Sequence, residues 1–271
     1  MRKLFVLLLV CVLAAGMTAC IFSGPTTETT TIPTQVTQPA VTEEPTRETT
    51  PLPTQETTQP PTEEPHSSLY IPGLSVEDVI LYFNEVVLDA EFISGGDPSR
   101  LQKWTSPILY QISGTYTDED IAVLDAFAGW LNTMEGFPGI DEAQDPAQVN
   151  LKIYFCDQQE MISVMGDDFW GLDGAVTFWY LRDEIYDAVI CYRNDISQVV
   201  RNSVILEEIY NGLGPVQDTD LRQDSIIYSG YSEPQSLTSV DELILKLLYH
   251  PSMECGMDQQ ACEQVIRQLY Y

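Results

Sequence analysis

From residue 24 to 65 the chain is built almost wholly of Thr, Pro, Glu and Gln, and "PTQVTQPAVTEEP" at 33–45 recurs as "PTQETTQPPTEEP" at 53–65. Such a segment has scarcely any apolar side chains to bury. It cannot offset the entropy of ordering its backbone, and its prolines hold it extended. At about 3.1 Å per residue in polyproline II, a stalk of this length reaches on the order of 100 Å. Whatever core the 271-residue chain possesses must therefore come from about residue 69 onward. The expected organisation is an export signal over 1–20, a disordered stalk over 21–68 and one domain over 69–271.

The first residues, Met1-Arg2-Lys3, precede the apolar run "LFVLLLVCVLAA" and then "GMTAC". A positive start, an apolar stretch and small residues describe a secretory signal. "MTAC" resembles the lipobox of bacterial lipoproteins, which implies that Cys20 is lipidated and becomes the new N-terminus. The competing reading is an uncleaved anchor, since residues 4–22 are almost wholly apolar. Both place the rest of the chain on the extracytoplasmic side, tethered to the cell membrane.

Twelve basic against 41 acidic residues give a formal charge of −29. Nucleic acid and anionic membrane surfaces would be repelled and are excluded as partners. Beyond Cys11 and Cys20 the cysteines are Cys156, Cys191, Cys255 and Cys262, an even number that suggests disulfides in an oxidising compartment. The favoured pairing is Cys156–Cys191, at the ends of two apolar strands, with Cys255–Cys262 bracketing a helix start; the other connectivities stay open. No close C-x-x-C pair points to structural zinc.

The domain alternates helical and extended patterns. "SVEDVILYFNEVVLDAEF" and "TDEDIAVLDAFAGWLNTM" have apolar residues at helical spacing behind Ser75 and Thr117 as N-caps. "PILYQIS" and "VNLKIYFC" read as strands, "DQQEMISVM" as a short helix, and "AVTFWYLR" with "IYDAVICYR" as paired strands. A helix follows from about Asp195 to Gly212, ended by "GLGP". "SVDELILKLLYH" and "DQQACEQVIRQLYY" close the chain as helices. This order predicts an α+β fold, a small mixed sheet packed by helices.

Residues 205–214 read "ILEEIYNGLG". The segment resembles the active-site helix of the zincins, H-E-x-x-H followed by x-L-G, with Glu207 and Asn211 at the histidine positions and Glu208 at that of the catalytic glutamate. Downstream, Ser225, Ile226, Tyr228, Leu237, Thr238, Asp241 and Tyr249 match a metzincin segment in which Ile227 takes the methionine's place. Residues 100–257 are closer still to a family of exported bacterial domains of unknown function. That family carries E-E-x-x-Q-x-L-G, an Asp-Ser loop, L-T-x-x-D, L-Y-x-P with G-M, and an upstream K/R-W-x-x-P-I. The matches here are "EEIYNGLG", "QDTDLRQDSIIY", "LTSVDE", "LYHP", "GM" and "KWTSPI". Asn211 departs from the family's glutamine, and Val204 stands where a cysteine is expected.

The resemblance implies a zincin-like domain without its zinc. His66 and His250 are the only histidines, so a histidine-ligated zinc site is excluded. The oxygens of Glu207, Asn211, Asp218, Asp220 and Asp224 could offer a hard-cation site, but the expectation is no metal and no cofactor. Adjacent helical residues point about 100° apart, so Glu207 and Glu208 are poor as an acid/base pair and stand only as candidate catalytic residues. The expected remnant of the cleft is Glu207, Glu208, Asn211, Asp224, Ser225, Tyr228 and Asp241. Trp170, Phe178, Trp179, Tyr180, Tyr186 and Tyr192 are expected to be mainly core. The expected function is a non-catalytic binding or scaffolding module at the cell envelope, with an envelope peptide or glycan as its partner. The alternative is a peptidase-like hydrolase, metal-free or using a hard cation through Glu207 and the aspartates.

Overall fold

The computed structural model describes residues 67–88 and 100–271. The export signal, Cys20, His66 and nearly all of the stalk lie outside the described residues.

Side chains alternate across a strand with a period of two, and that alternation divides the core. Along β4 (Leu151–Cys156), β5 (Gly174–Leu181) and β6 (Glu184–Arg193), one phase comprises Leu151, Ile153, Phe155, Val176, Phe178, Ala188, Ile190 and Tyr192. These join the main hydrophobic cluster. The other phase sends Cys156, Ala175 and Cys191 into a second cluster with Met161, Phe169 and Leu172. A sheet buried on both faces must be covered on both, as parallel sheets are.

Pairing follows that logic. β2 (Ile108–Gly114) lies between β3 (Ile140–Glu142) and β4, and β4 continues onto β6, all parallel, with Ile112 opposite Ile153 and Ile153 opposite Ile190. β1 (Lys103–Trp104) joins the start of β6, also parallel. Only β5 is antiparallel, and it pairs with β6 alone. The hairpin between them turns at Arg182 and Asp183, both left-handed at φ 56° and 66°.

Six α-helices cover this sheet among the described residues: α1 (Val76–Phe83), α2 (Asp118–Leu131), α3 (Gln158–Met165), α4 (Gln198–Gly212), α5 (Ser239–Leu248) and α6 (Gln259–Leu269). Four open with a capping box in which Ser75, Thr117, Asp157 or Thr238 exchanges hydrogen bonds with an acid three residues on. Each box satisfies two donors that the helix leaves orphaned. α3 covers the smaller cluster and α4 the main face of β5 and β6. None of these helices is long and apolar enough to cross a membrane.

The expected helices and long strands are present, with three differences. β1 and β3 are too short to leave a periodic signature. α1 ends at Phe83 and passes into a π-helical turn over Asn84–Leu88. The expected disulfides are not formed, for Cys156, Cys191, Cys255 and Cys262 are all free thiols. Cys156 and Cys191 do share the smaller cluster, near enough for each to shift the other's acidity. Tyr154, not Cys156, is the residue opposite Cys191, so the two cysteines are offset diagonally along neighbouring strands.

Candidate functional site

α4 is gripped at both ends. At its start the Ser197 hydroxyl caps Val200 N–H, and Arg201 donates to Asp120 at 2.6 Å and to the Asn194 carbonyl at 2.9 Å. At its end the last carbonyls, which have no partner within a helix, are taken by side chains. Trp104 Nε1 donates to Gly212 O at 2.9 Å, and Tyr249 Oη to Leu213 O at 2.8 Å. Neighbouring Lys103 Nζ ties Leu248 O and Met253 O together at 2.9 and 2.5 Å. The "KW" and "LY" motifs are thus the clamps of this helix.

Val204, Glu208 and Gly212 recur one turn apart and face β5 and β6. A β-carbon at Gly212 would meet Val176 and Ile190 at 3.3 and 3.7 Å. One at Gly174 would stand 2.9 and 3.0 Å from Glu208 Cγ and Oε1, so the glutamate occupies the space of an absent side chain. Asn211, fully buried, completes this face. Glu207 is one position round and half-buried. Asp218 is held from both sides: Gln217 N–H donates to Val86 O at 3.3 Å, Thr219 N–H to Ile227 O at 2.9 Å, and the Thr219 hydroxyl to Glu85 at 2.6 Å.

Four atoms in this group are shut off from solvent without a hydrogen-bond partner: Glu208 Oε2, both amide atoms of Asn211, and Asp218 Oδ1. Burial of such groups ordinarily comes with partners, because an unmade hydrogen bond costs about 1–3 kcal/mol. The charges reinforce one another. Burial, then Asp218 and Asp173, push Glu207 up to about 8, and burial alone brings Asp218 to about 7. Burial, then Glu207 and Asp218, hold Glu208 well above the carboxylate range. Asp173, at the entry to β5, is raised by burial although Arg193 lies 3.9 Å away; that guanidinium is engaged at 2.7 Å by Asp195. At neutral pH the group therefore holds protons and offers both donors and acceptors.

Two exposed aromatics are linked to Asp173 by sequence or by charge. Trp170 is 68% exposed three residues before it, and Tyr231, 74% exposed, lies within its electrostatic reach. Phe178 and Tyr192 are core as expected, and Trp179 and Tyr180 are half-buried. Trp170 and Tyr186 correct that expectation, being exposed.

The structure keeps Glu207, Glu208 and Asn211 on one stretch of α4, with Asp218 near enough to raise both glutamates, and assigns the other expected residues elsewhere. Ser225 and Asp241 meet in a sealed network: Tyr82 Oη donates to Ser225 Oγ at 2.7 Å, which donates to Asp241 Oδ1 at 2.7 Å. Asp241 also caps α5 and accepts from Ile226 N–H, pinning the 214–230 segment to that helix. Asp224 is exposed and paired with Arg222 at 2.8 Å, Asp220 bonds Ser229, and half-buried Tyr228 bridges to Thr219. The five oxygen donors read from the sequence as a hard-cation set do not converge. Among the described residues no group of three or more His, Cys, Asp or Glu is arranged to hold a metal ion. Sequence reasoning missed Gly174 and Asp173, which carry no motif, and the clamping role of Trp104, for which "KWTSPI" was the available signal.

A family model described as "Protein of unknown function (DUF2927)" matches residues 77–268. The chain belongs to this family. The matched span runs from α1 to α6, so the DUF2927 domain includes α4, its clamps, the sealed Ser225–Asp241 network and the carboxyl group cluster. No curated protein matches the chain.

Proposed function

We propose that this protein is a membrane-anchored lipoprotein, lipidated at Cys20, whose stalk carries a zincin-like DUF2927 domain on the extracytoplasmic side, where it binds an envelope peptide or glycan without cleaving it. The observation that carries the reading is the set of buried, unpartnered polar atoms on Glu208, Asn211 and Asp218, beside half-buried Glu207 and the antiparallel strand β5. A sheet followed by a helix bearing E-E-x-x-N is the arrangement that the zincin resemblance implies. A marginal strand is also where an extended peptide can add by main-chain pairing. Trp170 and Tyr231 supply contact area at low entropic cost.

A hydrolase is the second reading, favoured by the placement of Glu207 and Asp218: burial pushes them up to about 8 and about 7, where general acids and bases work best. The full exported chain, incubated with soluble fragments of envelope peptide and glycan, separates the two. Saturable binding indifferent to chelator, with every fragment recovered intact, is the expected result. Fragment cleavage that disappears in Glu208→Gln would replace binding by hydrolysis, and absence of binding would remove the module reading.

A further inference from the structure

We propose that the polar side chains of α4 and the segment after it, beside the first residues of β5, receive a primary ammonium group carried by a peptide. The proposal rests on the binding reading above and names the chemistry of the ligand.

The first argument is complementarity. Three of the unpartnered buried atoms are oxygens: Glu208 Oε2, Asn211 Oδ1 and Asp218 Oδ1. A primary ammonium presents three N–H donors and no acceptor. The remaining atom, Asn211 Nδ2, is a donor, and a peptide places carbonyl oxygens within a few bonds of any ammonium it carries. Asn211 is 0% and Glu208 2% exposed, so neither can turn to bulk water for these bonds. Each bond made there recovers a desolvation cost already incurred in folding.

The second argument is charge. Glu207 and Glu208 face the group from α4, Asp218 from the segment after it, and Asp173 from the entry to β5. From β6 comes Tyr192, whose acidity is suppressed by burial first, while Cys191 next to it points to the opposite face of the sheet. Arg193 is committed to Asp195. An anionic ligand would oppose ionisation of these acids, and a neutral glycan would leave them protonated. An ammonium group compensates them, and the carboxyl groups ionise as it enters, so protons leave for solvent. Charge-assisted hydrogen bonds of this type are about twice as strong as neutral ones.

The test is titration calorimetry on the full chain at pH 7.5, in two buffers of different ionisation enthalpy. The probes are trialanine (an amino-terminal ammonium), Nα-acetyl-lysine methylamide (a side-chain ammonium), N-acetyl-trialanine methylamide (no ammonium) and calcium chloride. At least one ammonium probe is expected to bind about tenfold or more tighter than the acetylated control, with a buffer-dependent heat that reports proton release. Whichever of the two binds identifies the source. Asp218→Asn is expected to weaken it about tenfold, and Glu207→Gln, at a half-buried position, to reduce proton release in a folded protein. Equal binding of the acetylated control overturns the ammonium assignment and leaves peptide binding standing. Envelope fragments that bind when both ammonium probes fail overturn it likewise, as does calcium binding abolished by Asp218→Asn. Failure of probes and envelope fragments together overturns this inference and the binding reading with it.

Discussion

Gly174 and Glu208 share one space: the side chain that glycine lacks is where the glutamate's Cγ and Oε1 lie, 2.9 and 3.0 Å from a β-carbon built on the strand. Val204, one turn before Glu208, presses on the same point. A carboxyl group is therefore laid against the first residue of β5 by the absence of an atom, which makes that glycine part of the site. Gly174→Ala is expected to cost about 1–3 kcal/mol, the usual range for overpacking. Val204→Ala in the same background opens the other side of the contact and should recover part of the loss. Thermal unfolding of the two variants checks this; a Gly174→Ala protein as stable as the parent would show that Glu208 moves aside freely.

Stability should fall as pH rises through the neutral range. Glu207, Glu208 and Asp218 bind protons more tightly folded than unfolded. Once pH exceeds the ordinary carboxylate value of 4.5, the unfolded chain releases protons that the folded one retains, up to about 8 for Glu207. The unfolded state then binds fewer protons, the slope of unfolding free energy with pH is negative, and the contributions of Glu207 and Asp218 are lost once pH passes about 8. Asp120 has the opposite sign but acts elsewhere. Burial pushes it up, yet bonds from Arg201, Thr117 and Gln198 bring it below 3.8, so its contribution is lost only in stronger acid. The melting temperature should drop by several degrees from pH 5 to pH 8, at about 2–4 °C per kcal/mol, and Glu207→Gln should flatten the profile.

Much of this was legible in the sequence where a local rule had a local cause. Ser75, Thr117 and Thr238, each three residues before an acid, mark helix starts that the structure keeps. The helix over 198–212 is marked by its caps and its motif. What was not legible depends on residues distant in sequence. Ser225 and Asp241 look like a polar loop facing a cleft, yet Tyr82, 143 residues before Ser225, closes over them. Arg182 and Asp183 adopt a left-handed turn without the Asn-Gly pair that would have announced it. Glu207, Glu208 and Asn211 were visible as a motif. That Asp218 joins them while Asp220 and Asp224 turn away follows from the hold of Val86 and Ile227 on that segment, and no spacing encodes it.

The sealed network makes a prediction that separates architecture from binding. Ser225→Ala leaves Tyr82 Oη and the Ile227 N–H without the hydroxyl they now share, and removes a donor from Asp241. It should cost about 1–3 kcal/mol, and Tyr82→Phe about 1 kcal/mol, in denaturant unfolding. Neither change touches Glu207, Asn211 or Asp218, so ligand affinity at temperatures where the protein is folded should stay within about twofold of the parent. Loss of binding in well-folded Ser225→Ala would put the serine back in the cleft.

Arg201 and Asp120 join α4 to α2 at 2.6 Å with side chains 7% and 0% exposed, and a pair so buried is asymmetric in its energetics. Removing one partner strands the other charge in the interior. Arg201→Met alone or Asp120→Leu alone should each destabilise by about 3–5 kcal/mol. Removing both takes away the stranded charge, so the double variant should be more stable than either single one. Recovery will fall short of the parent, because Asp120 also accepts from Thr117 N–H at 2.7 Å and Gln198 Nε2 at 2.7 Å, and leucine leaves both donors unpaired. A double-mutant cycle by urea unfolding measures the coupling. A cycle in which the two losses simply add would mean that the pair holds α2 against α4 through shape and not through charge.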